Sequence, residues 1–308
     1  MSKSAYVGVD GIAHKVKKMY IGVDGVARKV KKAYIGVDGV ARLFYSADAF
    51  GGFTGNYTTS DVTVDGVPCI LYTLTGSGTL TVSDSVQYWM CGGGGKGANA
   101  SEGTSDPQNS SLMSCAGGGG GGGYSDTGTL EAGTYAVSVG GAAGKSSIGS
   151  ISANPGSAGQ APKGGNGGSG GGACARASTA GTGDGKSKYP FGISSLKAHC
   201  GGGGGGADVT ARTTRAGGAG GTNGGNGKIG TSNTNGTPPV SGGAGGSYGG
   251  GKGGDSTSLY DVGSGTAATF YGGGGGGGGA FDDGGYGRWK VGTGAKGYQG
   301  VVYLLIPA

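Results

Sequence analysis

Few residues of this chain could carry proton or covalent chemistry, and their spacing argues against each possibility. His199 and Cys200 are adjacent, as a base beside a nucleophile would be. No third group orients the ring and no helix carries the pair, so it reads as a buried structural pair. Asp282 and Asp283 could form a carboxylate pair. Neighbours in extended chain point apart, however, and a solvated turn fits them better. Gly140–Ser146 imitates a phosphate-binding loop, but the position five before Gly144 is Val139 rather than glycine. The five cysteines, Cys69, Cys91, Cys115, Cys174 and Cys200, contain no C-x-x-C pair and have only His14 and His199 as metal-ligating company. They read as small, reduced, buried side chains. The sequence therefore predicts no enzyme, no cofactor and no metal.

Side chains able to recognise a partner are concentrated in the segments between glycine runs. Aromatic and cationic residues on a rigid scaffold suit binding. The candidates are Tyr189, Phe191, Arg176, Lys186, Lys188, Tyr260, Tyr271, Phe281, Tyr286 and Trp289. For those beside a glycine run, such as Tyr271 and Phe281, two readings stay open: a binding anchor, or a cap over the end of a glycine bundle. Tyr189 and Phe191 lie mid-loop, where recognition is favoured.

The elements that must position these residues are unusual. Of 308 residues 85 are Gly and only 34% are hydrophobic, too little apolar side chain for one conventional core of this length. Glycine loses the most backbone entropy on ordering and has no side chain to bury. Runs such as Gly117–Gly123, Gly201–Gly206 and Gly272–Gly279 therefore need another source of order. Three-residue-per-turn polyproline II geometry supplies one: such segments have no internal hydrogen bonds and can bond to identical neighbours where no Cβ intrudes. Collagen is excluded, because Gly keeps no strict third-residue period and Pro is scarce.

Around these runs the sequence predicts β-structure. Val67–Leu74, Thr79–Val82, Val86–Cys91, Gly133–Val139 and Val301–Ile306 have strand composition or alternation. The last is too apolar to stand alone and should return to pair with the early module, near Val86–Cys91. At the N-terminus a 14-residue unit recurs three times, each copy with an Asp-Gly pair between β-branched residues, the strongest short hairpin signal. A turn at Asp24-Gly25 pairs Val23 with Val26, Ile21 with Arg28 and Met19 with Val30. The three units are expected to form one meander with lysines at its edges. Residues 1–45 carry nine Lys/Arg against three Asp, the whole +6 of the chain. The β-pattern and the lack of an aromatic platform argue against specific nucleic-acid binding. Ile21, Val23, Val26, Arg28 and Val30 are candidates for an attachment surface.

Tyr88-Trp89-Met90-Cys91 running into glycine, Gly128–Tyr135 as a following strand, Ser147–Ala153 and a closing hydrophobic strand together resemble the glycine-rich domains of bacteriophage tail proteins. The N-terminal repeats are similar to those preceding such domains in phages and prophages of Gram-positive bacteria. The resemblance implies a virion structural protein, made in the host cytoplasm and displayed on the particle exterior. Its implied partners are other virion proteins and a host-surface receptor, glycan or protein, with homo-oligomerisation open.

The expected fold is all-β: basic hairpin repeats (1–45), a small β-sandwich-like module (46–140), an inserted polyglycine II bundle with variable loops (141–299) and a closing strand (300–308). No secretory signal or membrane insertion is expected. The expected function is a distal tail or fibre adhesin. The alternatives are a capsid-surface decoration adhering to glycans, an ice-binding polyglycine bundle and a polysaccharide-degrading enzyme.

Overall fold

The computed structural model describes the chain except for residues 1–5, 10–11, 17–18, 31, 38, 47–48, 101–104, 107–108, 113–116, 162, 173–180, 184–188, 195, 198, 207, 211–243, 246–248, 255, 259–260, 283–288 and 308. The fold is all-β, with two five-stranded sheets at its centre. Ten strands build them: β1 (Phe50–Phe53), β2 (Tyr57–Val64), β3 (Val67–Leu74), β4 (Gly78–Val82), β5 (Val86–Cys91), β6 (Ser125–Leu130), β7 (Gly133–Ser138), β8 (Ser146–Ile148), β9 (Ile151–Ala153) and β10 (Val301–Pro307). One sheet runs β9-β8-β7-β4-β1, the other β6-β5-β10-β3-β2. Leu80, Val82, Val137 and Ile148 of the first meet Leu74, Tyr88, Met90, Leu130, Val302 and Leu304 of the second in one core.

The closing strand pairs with both β5 and β3, with Tyr88 opposite Leu304 and Leu304 opposite Tyr72. Its unbroken run of apolar residues has a simple cause. Val302, Leu304 and Ile306 enter the inter-sheet core, while Val301, Tyr303 and Leu305 enter a second cluster on the sheet's outer face. A strand covered on both faces needs no polar alternation.

Gly128–Tyr135 is not one strand. The chain turns the corner between the sheets at Glu131-Ala132, held by the Tyr135 hydroxyl donating to the Glu131 carbonyl at 2.9 Å. Leu130 is buried on one side of that corner and Val137 on the other, so each half serves a different sheet.

The glycine segments grow directly out of this sandwich. Cys91 faces Ser125 across β5 and β6. Beyond the sheet the Gly92 amide donates to the Tyr124 carbonyl, Gly95 to Gly121 and Ala98 to Gly118. The register is unchanged, but the bonds now recur every three residues. The same happens between β5 and β10, where Gly94 bonds to Tyr298, Gly97 to Ala295 and Ala100 to Gly292.

Segment 117–123 shows what the three-residue period achieves. Gly117, Gly120 and Gly123 donate to Gly278, Gly275 and Gly272; Gly118 and Gly121 donate to Gln160 and Ser157; Gly119 and Gly122 donate to Gly172 and Ser169. Its carbonyls accept from 92–98, from 165–168 and from 203–206. One chain is thus bonded to three segments through its N–H groups and to three others through its C=O groups. Segment 272–279 is enclosed in the same way, donating to 95–98, 201–204 and 263–266 and accepting from 117–123, 251–254 and 292–298. Every residue of both runs is buried, so this second interior is built from backbone alone.

The peripheral segments 154–160, 263–266 and 292–298, poorer in glycine than the central runs, also belong to the array. Such a segment needs glycine only where it faces inward, as Gly156 and Gly159 do, three apart. The stretch after the 272–279 run, among the variable loops expected within 141–299, contains strands: Ala280–Asp282 pairs with Asp208–Thr210 and with Trp289–Val291. Asp282 therefore ends a strand rather than sitting in a turn.

The N-terminal hairpins form as the Asp-Gly pairs dictate. Asp24 and Gly25 have φ of 52° and 75°, Val23 faces Val26 and Ile21 faces Arg28, and the Val30 amide donates to the Met19 carbonyl at 2.7 Å. They do not merge into a meander. Tyr6–Val9 with Ile12–Lys15, Tyr20–Val23 with Val26–Lys29, and Lys32–Val37 with Val40–Ser46 are three separate two-stranded sheets. Lys15, Lys17 and Lys18 lie where the first two would join, and charge at a strand edge discourages pairing.

Candidate functional site

The candidate site is a groove of about 660 Å³ on the outer face of the sheet containing β5 and β6. Alternation along the two strands sends Gln87 and Trp89 of β5, with Ser125, Thr127 and Thr129 of β6, to this face. Trp89 is buried in the floor, whereas Gln87, Thr127 and Thr129 are exposed. The Thr127 hydroxyl donates to the Tyr88 carbonyl at 2.9 Å. Asp126 points the other way and accepts from the Tyr88 hydroxyl at 3.3 Å. Burial first, then the Asp126 charge, raises the Tyr88 phenol above its ordinary value.

The wall of the groove is a turn, Tyr189 to Gly192. Pro190 opens it with its fixed φ, and the Gly192 amide donates to the Tyr189 carbonyl at 3.1 Å. Phe191 sits at φ 54°, ψ 18°, a region that bulky side chains rarely occupy. Its ring is held there by packing against the outer cluster that includes Trp89.

Behind the groove lies a cage of rings. The His199 centroid is 5.1 Å from Trp89, 4.8 Å from Phe270, 5.9 Å from Tyr271 and 5.3 Å from Tyr303. Its Nε2 is 2.8 Å from the Tyr303 hydroxyl. Nδ1 has no hydrogen-bond partner among the described residues. The Lys197 backbone lies close enough to favour protonation slightly, short of hydrogen-bond geometry, but burial dominates and pushes the imidazole down to about 4. Burial also raises the Tyr303 phenol well above its usual range. A neutral ring and a neutral phenol therefore share this bond, and Cys200, although adjacent in sequence, is not its partner. The Lys197 ammonium lies 5.3 Å from the centroid of Phe270.

Two of the residues singled out from sequence, Tyr189 and Phe191, line the groove together. Tyr271 belongs to the ring cage. Phe281 and Trp289 lie on paired strands, opposite Lys290 and Asp282. Arg176, Lys186, Lys188, Tyr260 and Tyr286 lie outside the described residues. On the hairpins Ile21 and Val26 are 57% and 58% exposed, Val23 and Arg28 are also exposed and Val30 is half-buried.

Sequence reasoning missed Gln87, Trp89, Thr127 and Thr129. Their signal was the period-two placement on two strands, but nothing local shows that a turn a hundred residues later closes over them. The chain matches no protein-family model, no curated protein and no solved structure.

Proposed function

We propose that this chain is a bacteriophage virion protein, a distal tail or fibre adhesin that contacts the host surface. In this reading the glycine array is a polyglycine II bundle serving as a rigid stalk or platform. The supporting observation is the division of labour in the molecule. A backbone-only interior cannot discriminate partners, so recognition falls to side chains where the array meets the sandwich and at its loops. Exposed, repeated hairpin faces, Ile21, Val23, Val26 and Arg28 with the counterparts Ile35 and Val40, are left for another virion protein to cover.

Antibody against the purified chain should decorate one end of particles in electron micrographs, and the free protein should compete with particles for host cells. Purified virions that lack the chain by mass spectrometry would overturn the proposal. Deleting residues 1–45 should abolish incorporation into particles while the remainder still blocks adsorption.

A further inference from the structure

We infer that the groove between β5, β6 and the Tyr189–Gly192 turn binds a neutral saccharide ring. The volume, about 660 Å³, lies in the range of small-molecule sites, room for one or two sugar units. Its chemistry is what selects the class. The exposed polar groups on its face are an amide, Gln87, and two hydroxyls, Thr127 and Thr129. Gln87 and Thr129 both donate and accept, as sugar hydroxyls do, while Thr127, whose proton goes to the Tyr88 carbonyl, can accept. Among the described residues no lysine or arginine lines it, and the carboxylate they contribute, Asp126, is turned to the sheet's other side and bonded to Tyr88. The described lining thus offers an anionic ligand no cation, and a cationic one would find the Asp126 carboxylate facing away. The wall supplies Tyr189 and Phe191, flat aromatic surfaces of the kind that stack on the apolar face of a pyranose.

A second observation is independent of the lining. Phe191 is kept in the left-handed region, φ 54°, where glycine would rest without strain. Outliers of this kind persist where surrounding structure over-determines them, and they cluster at functional sites. Here the strained backbone sets the ring beside Trp89 at the groove wall.

An extended peptide is the competing occupant, since β6 ends its sheet. A strand added at that edge would lie in the plane of the sheet. The amide, hydroxyls and aromatic wall stand on the sheet's face, which favours the sugar.

The assignment deepens the adhesin reading and takes its biological meaning from it, but binding is measured without particles. The full chain is applied to an array of neutral hexose and N-acetylhexosamine oligosaccharides beside sialylated and phosphorylated ones. Neutral glycans should be retained. Tyr189→Ala should weaken retention about tenfold, and Thr129→Val several-fold, with unfolding temperatures unchanged. Tyr34→Ala, an exposed aromatic on a hairpin, should bind as the parent does. If Tyr189→Ala fails to fold, the near-isosteric Thr129→Val decides. Unaltered binding by folded variants, preference for charged glycans, or capture of extended peptides without sugars overturns the site. A chain that blocks host adsorption equally well with and without these substitutions leaves the adhesin reading standing and removes the groove. A chain whose sugar binding falls with them but which never competes with particles does the reverse.

Discussion

The sandwich and the glycine array solve the same problem with opposite materials. In the sandwich the interior is side chain: Leu74, Leu80, Met90, Ile148 and Leu304 are fully buried, and the strand ladders satisfy the backbone. In the array the interior is the backbone itself. Each amide of Gly117–Gly123 finds a carbonyl on one of three neighbours, so burial leaves no unsatisfied donor and requires no apolar side chain. The first interior tolerates loss of volume poorly. The second cannot tolerate its gain. Both exist in one chain because the register of β5 with β6 and β10 passes into the array unbroken. The sheet fixes the first rung, and each later rung is then an intramolecular step rather than a new loop closure.

The largest effect that can break this comparison is at Gly275. A Cβ there would overlap the Ala295 carbonyl oxygen, and segments bonded on every side leave that carbonyl nowhere to go. Gly275→Ala should cost about 4 kcal/mol or more, measured by chemical denaturation, and Gly275→Val should prevent folding. The control is Gly141→Ala, where a Cβ meets nothing within 4 Å and stability should stay within about 0.5 kcal/mol. Equal, small effects at both positions would mean that the array is not close-packed. Hydrogen exchange gives the same test without mutation: amides of Gly117–Gly123 and Gly272–Gly279 should be as protected as those of β10.

In the sandwich the sign reverses. Leu304 is 0% exposed in the centre of β10, and Leu304→Ala should cost about 4 kcal/mol through lost burial and the cavity left behind. Because β10 also seeds a glycine segment, exchange at Gly292–Gly300 should quicken in this variant. Quickening confined to the sheet would show that the two interiors unfold separately.

The seam between them holds the next largest effect. His199 is about 4 in the fold against 6.5 when free, so the unfolded chain binds a proton that the native one refuses. Stability is then fully present above pH 6.5 and falls as pH drops towards 4, by about 3 kcal/mol from this group. Melting temperature followed from pH 7.5 to 4.5 should decline, and His199→Gln should flatten the decline. A profile unchanged by the substitution would mean that the imidazole is not dry at the seam between the sheet's outer cluster and Tyr271.

How much of this was legible follows the same division. The Asp-Gly hairpins, β3, β5 and the return of β10 declare themselves locally, through turn chemistry and apolar runs. The strand Phe50–Phe53 did not, because Gly51 and Gly52 argue against a strand. Gly51 is there because a Cβ would press on the Thr81 carbonyl oxygen at 2.9 Å. Order in the glycine runs was readable, but the breadth of the array was not. Peripheral members such as 154–160 need glycine only every third residue and so resemble loops. The groove was least legible. Tyr189 and Phe191 stood out as aromatic residues, yet their partners Gln87 and Thr129 are ordinary strand residues until a distant turn lands beside them.

The smallest expected effect concerns the hairpins, which belong to neither interior. Among the described residues each is a two-stranded sheet paired only with itself, and Val7, Ile12, Ile21, Val26, Ile35 and Val40 are all more than half exposed. Isolated two-stranded hairpins are marginal in water, so these depend for their own order on what covers them and lend little to the rest. Removing residues 1–46 should therefore change the stability of the remaining chain by less than about 0.5 kcal/mol and leave exchange in the glycine array untouched. A larger loss would place the hairpins against the sandwich as part of its core. The expected null result has a positive counterpart. In the full chain, amides of Tyr20–Lys29 should exchange fast in the free protein and slowly in assembled particles, since only a partner can bury Ile21, Val23 and Val26. Slow exchange in the concentrated free protein that quickens on dilution would mean that a second copy, rather than another component, supplies that cover.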